Sequence, residues 1–190
     1  MLQWFVDDNF DNKFADRFKT KSSRLKNWNY SSIGFYFVTI CTYNKNNFFG
    51  KIIDNQMGLS KIGIITNQCL IDISKHFSNV ILDEYIIMPN HIHLIIQIIN
   101  NNVETPYMAS LQTENKYKEL NKKSNQLIPK AIQQFKSAVK RMCNQNKIWF
   151  SWQSRFYDHI VKNGKELLII KNYISNNPIN WQKDKFYIKN

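Results

Sequence analysis

The chain has 190 residues, 43% hydrophobic and 14% aromatic, which suffices for one well-buried domain and excludes a disordered chain. Its 26 lysines and arginines outweigh 14 acidic residues, for a formal charge of +12; a surplus of this size points to a polyanionic partner, nucleic acid foremost, although a generally Lys- and Asn-rich composition gives the same charge. Three scattered cysteines, Cys41, Cys69 and Cys143, argue against a zinc ribbon or disulfide framework, and with no apolar run near the ~18 residues of a membrane span and no signal-peptide shape, the expectation is a soluble, cytoplasmic protein.

Residues 1–30 read as an arm. Lys13, Arg17, Lys19, Lys21, Arg24 and Lys26 alternate there with Phe14, Phe18, Trp28 and Tyr30. Phosphate-seeking cations among stackable rings suit a nucleic-acid contact, and a surface helix docked by its aromatics explains the same residues. Residues 31–190 read as the main domain. Residues 33–43, rich in aromatic and β-branched side chains, predict a central strand, and 44–50 a polar turn. From Ser60, a plausible N-cap, Ile64, Ile65, Leu70, Ile71 and Ile73 predict an amphipathic helix to about Phe77. His76 then falls at a helix end.

Residues 80–88 and 91–99 predict two strands joined only by Pro89-Asn90, hence an antiparallel hairpin. Residues 100–126 are polar and aperiodic and read as a mobile insertion. Pro129 is expected to open a helix running to about Asn144, with Ala131, Ile132, Phe135, Val139 and Met142 as its apolar stripe and Lys130, Lys136, Lys140 and Arg141 on other faces. A strand at 155–161 and a helix at 165–177 complete the chain, Pro178 disfavouring α geometry in the residue before it. Strand, helix, strand, strand, helix, strand is the order of a ferredoxin-like (split βαβ) α+β fold, an antiparallel sheet with helices on one face, followed by a C-terminal helix.

Two of the four histidines stand at His91 and His93. Alternation puts both imidazoles on one face of a strand and Ile92, Leu94 and Ile96 on the other. That is a half-site for a divalent cation; it is equally two polar residues on the wetted face of a half-exposed strand. Asp158 and His159 are adjacent on a strand, so they face opposite ways and cannot touch as an acid–base pair. A structural or nucleic-acid-contact role suits them better. Trp149, Trp152 and Phe156 could stack bases, but filling a core is the commoner use.

Four segments in this order, Gly34-Phe35-Tyr36-Phe37-Val38-Thr39, Met88-Pro89-Asn90-His91-Ile92-His93-Leu94, Trp152-Gln153-Ser154-Arg155-Phe156-Tyr157-Asp158-His159 and Asn172-Tyr173-Ile174-Ser175-Asn176-Asn177-Pro178, together resemble the single-tyrosine HUH transposases, most closely their REP-associated branch. The resemblance implies a divalent metal, Mg²⁺ or Mn²⁺, bound by His91, His93 and Asn177. It implies Tyr173 as the nucleophile that leaves a 5′-phosphotyrosine on single-stranded or hairpin DNA, in a monomer or a homodimer. Tyr173 and Asn177 are four residues apart and would share one side of a helix. A packing tyrosine and an Asn-Pro helix stop are the plain alternatives for these two residues. Candidate nucleic-acid contacts are Lys19, Lys21, Arg24, Lys26, Lys136, Lys140, Arg141, Arg155 and His159. Two other functions compete: an inactive or domesticated module that grips DNA or RNA hairpins, and a metal-dependent hydrolase of small substrates. The second is disfavoured by the charge and by the lack of another carboxylate-rich cluster.

Overall fold

The computed structural model describes residues 28–100 and 126–188. Most of the arm, including Lys19, Lys21, Arg24 and Lys26, and nearly all of the expected insertion lie outside the described residues. At the junction of arm and domain, Tyr30 is buried, its carbonyl accepts from Ile128 N at 3.2 Å, and Ser31 Oγ accepts from Leu127 N at 2.9 Å. Two of the otherwise unmet N–H groups at the start of the following long helix are satisfied in this way.

The main sheet has four strands, β1 (Gly34–Cys41), β4 (Val80–Ile87), β5 (His91–Ile98) and β6 (Tyr157–Val161), in the order β4-β5-β1-β6 with every pair antiparallel. Counting only these strands, this is the 4-1-3-2 order of the ferredoxin-like fold, as expected. A separate hairpin, β2 (Gly50–Ile53) and β3 (Gln56–Leu59), was not anticipated. Its two-residue turn, Asp54-Asn55, has positive φ at both positions (49° and 62°). Asp and Asn tolerate that geometry, and it matches the twist of a tight hairpin.

Ser60 caps α1 (Lys61–Ile71), its side chain accepting from Gly63 N. The single helix expected over 60–77 breaks at Asp72 into α1 and the short α2 (Ile73–His76), with His76 at the helix end as expected. The long helix α3 (Leu127–Gln145) begins two residues before Pro129; proline is still inside the first turn, where its missing N–H costs nothing. The last helix, α4 (Gly164–Ser175), is capped by Asn163, which accepts from Glu166 N. It stops short of Asn177, in keeping with the restriction that Pro178 places on that residue.

Alternation gives the sheet two faces. Tyr36, Val38, Ile40, Ile92, Leu94 and Ile96 pack with Leu70, Ile128, Ile132, Phe135 and Val139 of α1 and α3 in the main core. The opposite face carries Phe37, Thr39, His91 and His93, and α4 lies over it. Tyr173 of α4 packs edge-on to Phe37 with ring centroids 6.3 Å apart. A bulge between Leu82 and Glu84 leaves Asp83 as the extra residue of β4, and Lys171 of α4 reaches its carboxylate at 2.8 Å. The last turn, Trp181–Lys183, leads into a tail whose Phe186 packs in a second small core with Cys41, Met88 and Trp181. No helix among the described residues is long and apolar enough to cross a membrane.

Candidate active site

His91 and His93 share a face, as the alternation requires, but that face is not wetted. They are 0% and 2% exposed, because α4 and the tail cover a side of the sheet that the sequence left open. The reading as two solvated polar residues is thereby overturned. Their ring centroids are 4.5 Å apart.

The protonation of His91 is fixed by its neighbour. Asn90 Nδ2 donates to two backbone carbonyls, Lys45 O at 3.0 Å and Phe186 O at 2.8 Å. This orients its amide so that Oδ1 faces His91 Nδ1 at 2.9 Å. An amide oxygen only accepts, so Nδ1 carries the proton and Nε2 keeps its lone pair. That Nε2 is buried with no hydrogen-bond partner.

His93 sits opposite Thr39 in the β1–β5 register, and Nδ1 lies 2.8 Å from Thr39 Oγ1. Its Nε2 lies 3.2 Å from the hydroxyl of Tyr173. Burial, then the neighbouring His93, lowers the pKa of His91 well below the ordinary value; burial first, then Lys185, pushes that of His93 down to about 3. Both rings are neutral near pH 7, the form that binds metal.

Tyr173 is 43% exposed with its hydroxyl turned to His93. Burial of that end and the Asp184 carboxylate raise its pKa, while the Asn177 side chain opposes the rise. Asn177 lies beyond α4, yet the turn after the helix, where Asn177 N donates to Ile174 O at 3.2 Å, keeps it beside Tyr173. The same amide helps to hold down the pKa of Asp184, which burial raises, and its Oδ1 is buried without a partner.

Asp184 escaped the sequence reading. Inside Gln182-Lys183-Asp184-Lys185 it looks like a solvated tail charge, and no periodicity marks it. In the fold it is half-buried, and one ligand atom each from His91, His93 and Asp184 lie within 4.8 Å of one another. These three residues could hold a metal ion. Two neutral imidazoles, one of them with an orphaned Nε2, a nearby carboxylate and an orphaned amide oxygen form a donor set that fits a divalent cation.

Of the basic candidates among the described residues, those of α3 do not converge on this centre. Lys136, Lys140 and Arg141 lie on α3, across the sheet, beside an open cleft of about 890 Å³. Lys136 Nζ donates to Gln153 O at 2.6 Å and Lys140 Nζ to Phe150 O, so both tie the segment before β6 onto α3. Burial pulls the pKa of Lys136 down to about 8. Arg155 is exposed just ahead of β6. Asp158 and His159 face opposite ways as expected, Asp158 buried and His159 Nε2 2.9 Å from Glu166 Oε1 of α4. Trp152 packs against Phe49, Phe135 and Phe150 in the core, whereas Trp149 is exposed.

No protein-family model matches the chain. A solved structure of a REP-associated tyrosine transposase bound to a REP hairpin is similar over 88% of this chain and 77% of that one, with a TM-score of 0.55 and 14% identity; at that identity the likeness is one of fold. A Haemophilus influenzae protein, described only as uncharacterized, is 40% identical over 170 residues, 88% of this chain and 93% of the relative. This chain and the Haemophilus influenzae protein belong to one family.

Proposed function

We propose that this protein is a metal-dependent enzyme that nicks and rejoins single-stranded DNA, a single-tyrosine transposase of the HUH type. Tyr173 is its nucleophile, and His91, His93 and Asn177 are its metal ligands. The observation that carries this reading is the 3.2 Å approach of the Tyr173 hydroxyl to His93 Nε2, next to the orphaned Nε2 of His91. The REP hairpin bound by a protein of the same fold supports hairpin or repetitive palindromic DNA as substrate, and the +12 charge suits such a partner.

Tyr173 Oη would attack the scissile phosphorus, break the bond to the 3′-oxygen and leave a free 3′-hydroxyl with a 5′-phosphotyrosine. That intermediate keeps the phosphodiester for rejoining. The phenol must lose its proton against a raised pKa, and the neighbouring Asn177 amide favours the phenolate. A bound Mg²⁺ or Mn²⁺ supplies Lewis-acid polarisation of the phosphate oxygens and further charge stabilisation. The Asn90 and Thr39 bonds hold the imidazoles in place.

The test is incubation with single-stranded hairpin oligonucleotides and Mn²⁺ or Mg²⁺. A covalent protein–DNA adduct that disappears in Tyr173→Phe is expected. Hairpin binding with no adduct under either metal would replace the enzyme with a binding module.

A further inference from the structure

We infer that Asp184, carried on the C-terminal tail, is the anionic ligand of the cation held by His91 and His93. This rests on the metal-dependent reading above and adds to it a residue outside the four segments that carry the resemblance. One carboxylate oxygen and one ring nitrogen from each histidine lie within 4.8 Å of one another. Independently of that distance, His91 Nε2 is a buried, proton-free donor with no other partner.

The tail is built to hold Asp184 there. Asp184 Oδ1 accepts from Phe186 N at 2.7 Å, and the Phe186 ring packs on His91 with centroids 4.4 Å apart. Asn90 links the two parts of the centre: its Oδ1 sets the proton of His91, and its Nδ2 grips Phe186 O at 2.8 Å. One side chain therefore positions a ligand and the segment that carries the carboxylate. The Asn177 amide lowers the pKa of both Asp184 and Tyr173, which puts it between that carboxylate and the nucleophile.

A carboxylate changes what the centre selects. Two imidazoles with only a neutral amide leave the full charge of the ion uncompensated. A hard anionic oxygen offsets part of it, and two histidines with one carboxylate suit Mn²⁺ or Fe²⁺ better than the water-retaining Mg²⁺.

The experiment uses the full chain and Mn²⁺ alone. Dissociation constants are measured by calorimetry and by the paramagnetic resonance of free Mn²⁺ for the native chain, Asp184→Asn and His91→Ala, with Lys183→Gln as the control for disturbing the tail. Asp184→Asn is expected to weaken Mn²⁺ at least ~10-fold and to alter the visible spectrum of bound Co²⁺, while Lys183→Gln changes neither. A native-like Mn²⁺ affinity and Co²⁺ spectrum in Asp184→Asn, with binding lost in His91→Ala, would overturn the role of Asp184 and leave the metal reading intact. No Mn²⁺ binding by the native chain would overturn both. A readout free of substitutions is amide exchange in residues 181–186 of the native chain: Mn²⁺ should slow it, and unchanged exchange at saturating Mn²⁺ counts against Asp184.

Discussion

The hydroxyl of Tyr173 meets Nε2 of His93 at 3.2 Å, although 80 positions separate them in the chain. Two local rules make the meeting possible. Alternation turns His93 toward the face away from the α1–α3 core, and α4 is anchored over that face at both sides, by Lys171 to Asp83 of β4 and by Glu166 to His159 of β6. In Tyr173→Phe the ring remains against Phe37 and His93 and only the hydroxyl is lost. Stability should therefore fall by no more than about 1–1.5 kcal/mol, while covalent capture of DNA disappears. Denaturant melts and gel-shift of boiled protein–DNA mixtures measure the two effects; an adduct surviving in Tyr173→Phe would remove Tyr173 as nucleophile.

Asn90 has two tasks, and Asn90→Ala should fail at both. Without its amide, Lys45 O and Phe186 O lose a donor and His91 Nδ1 loses the acceptor that fixes its proton. The expected cost is roughly 2–4 kcal/mol of stability and a ~10–100-fold weaker affinity for Mn²⁺. Urea unfolding and calorimetric titration of metal report the two losses separately.

Acid should destabilise the fold through the histidine pair. An unfolded-chain histidine titrates near pH ~6.5, whereas burial depresses His91 well below that and His93 to about 3. Above about pH 7 both states hold the rings neutral, and the pair adds no slope. As pH falls below ~6.5 the unfolded chain takes up protons that the native chain refuses. Stability then drops by at most about 2.7 kcal/mol per pH unit for two groups, down toward the folded values. Melts of the native chain between pH 7.5 and 5 should show this slope, and His91→Gln/His93→Gln should flatten it; an equal slope in the double variant would place the acid sensitivity elsewhere.

Gly63 sets two effects against each other. Alanine is the better helix former by about 1 kcal/mol, but a Cβ at this position of α1 would stand 2.2 Å from Phe49 O and 3.2 Å from Leu59 Cβ. Backbone cannot yield as a side-chain tip does. Gly63→Ala should therefore be net destabilising, by about 1–3 kcal/mol, in equilibrium denaturation. A more stable variant would mean that the β3–α1 junction relaxes freely.

The sequence by itself determined the order of the main strands and helices, the tight turn at Pro89-Asn90, the capping of α1 by Ser60, and the common face of His91 and His93. These follow from properties a residue shares with near neighbours: the period of two, turn chemistry, and the competition of Ser or Asn with helical N–H groups. The β2–β3 hairpin was missed because its strands are four residues each and pair only with one another, too short for a periodic signal.

Only the tertiary structure decided which residues share the centre. Whether the histidine face is wet or buried depends on where α4 and the tail settle, and Asn90 meets Phe186 across 96 positions. Asp184 enters by that docking alone. Lys136 and Lys140, which look in the sequence like free phosphate contacts, prove to hold backbone carbonyls on the far side of the sheet. A local pattern records how a side chain points from its own element; it holds no information about which distant element will be packed against it.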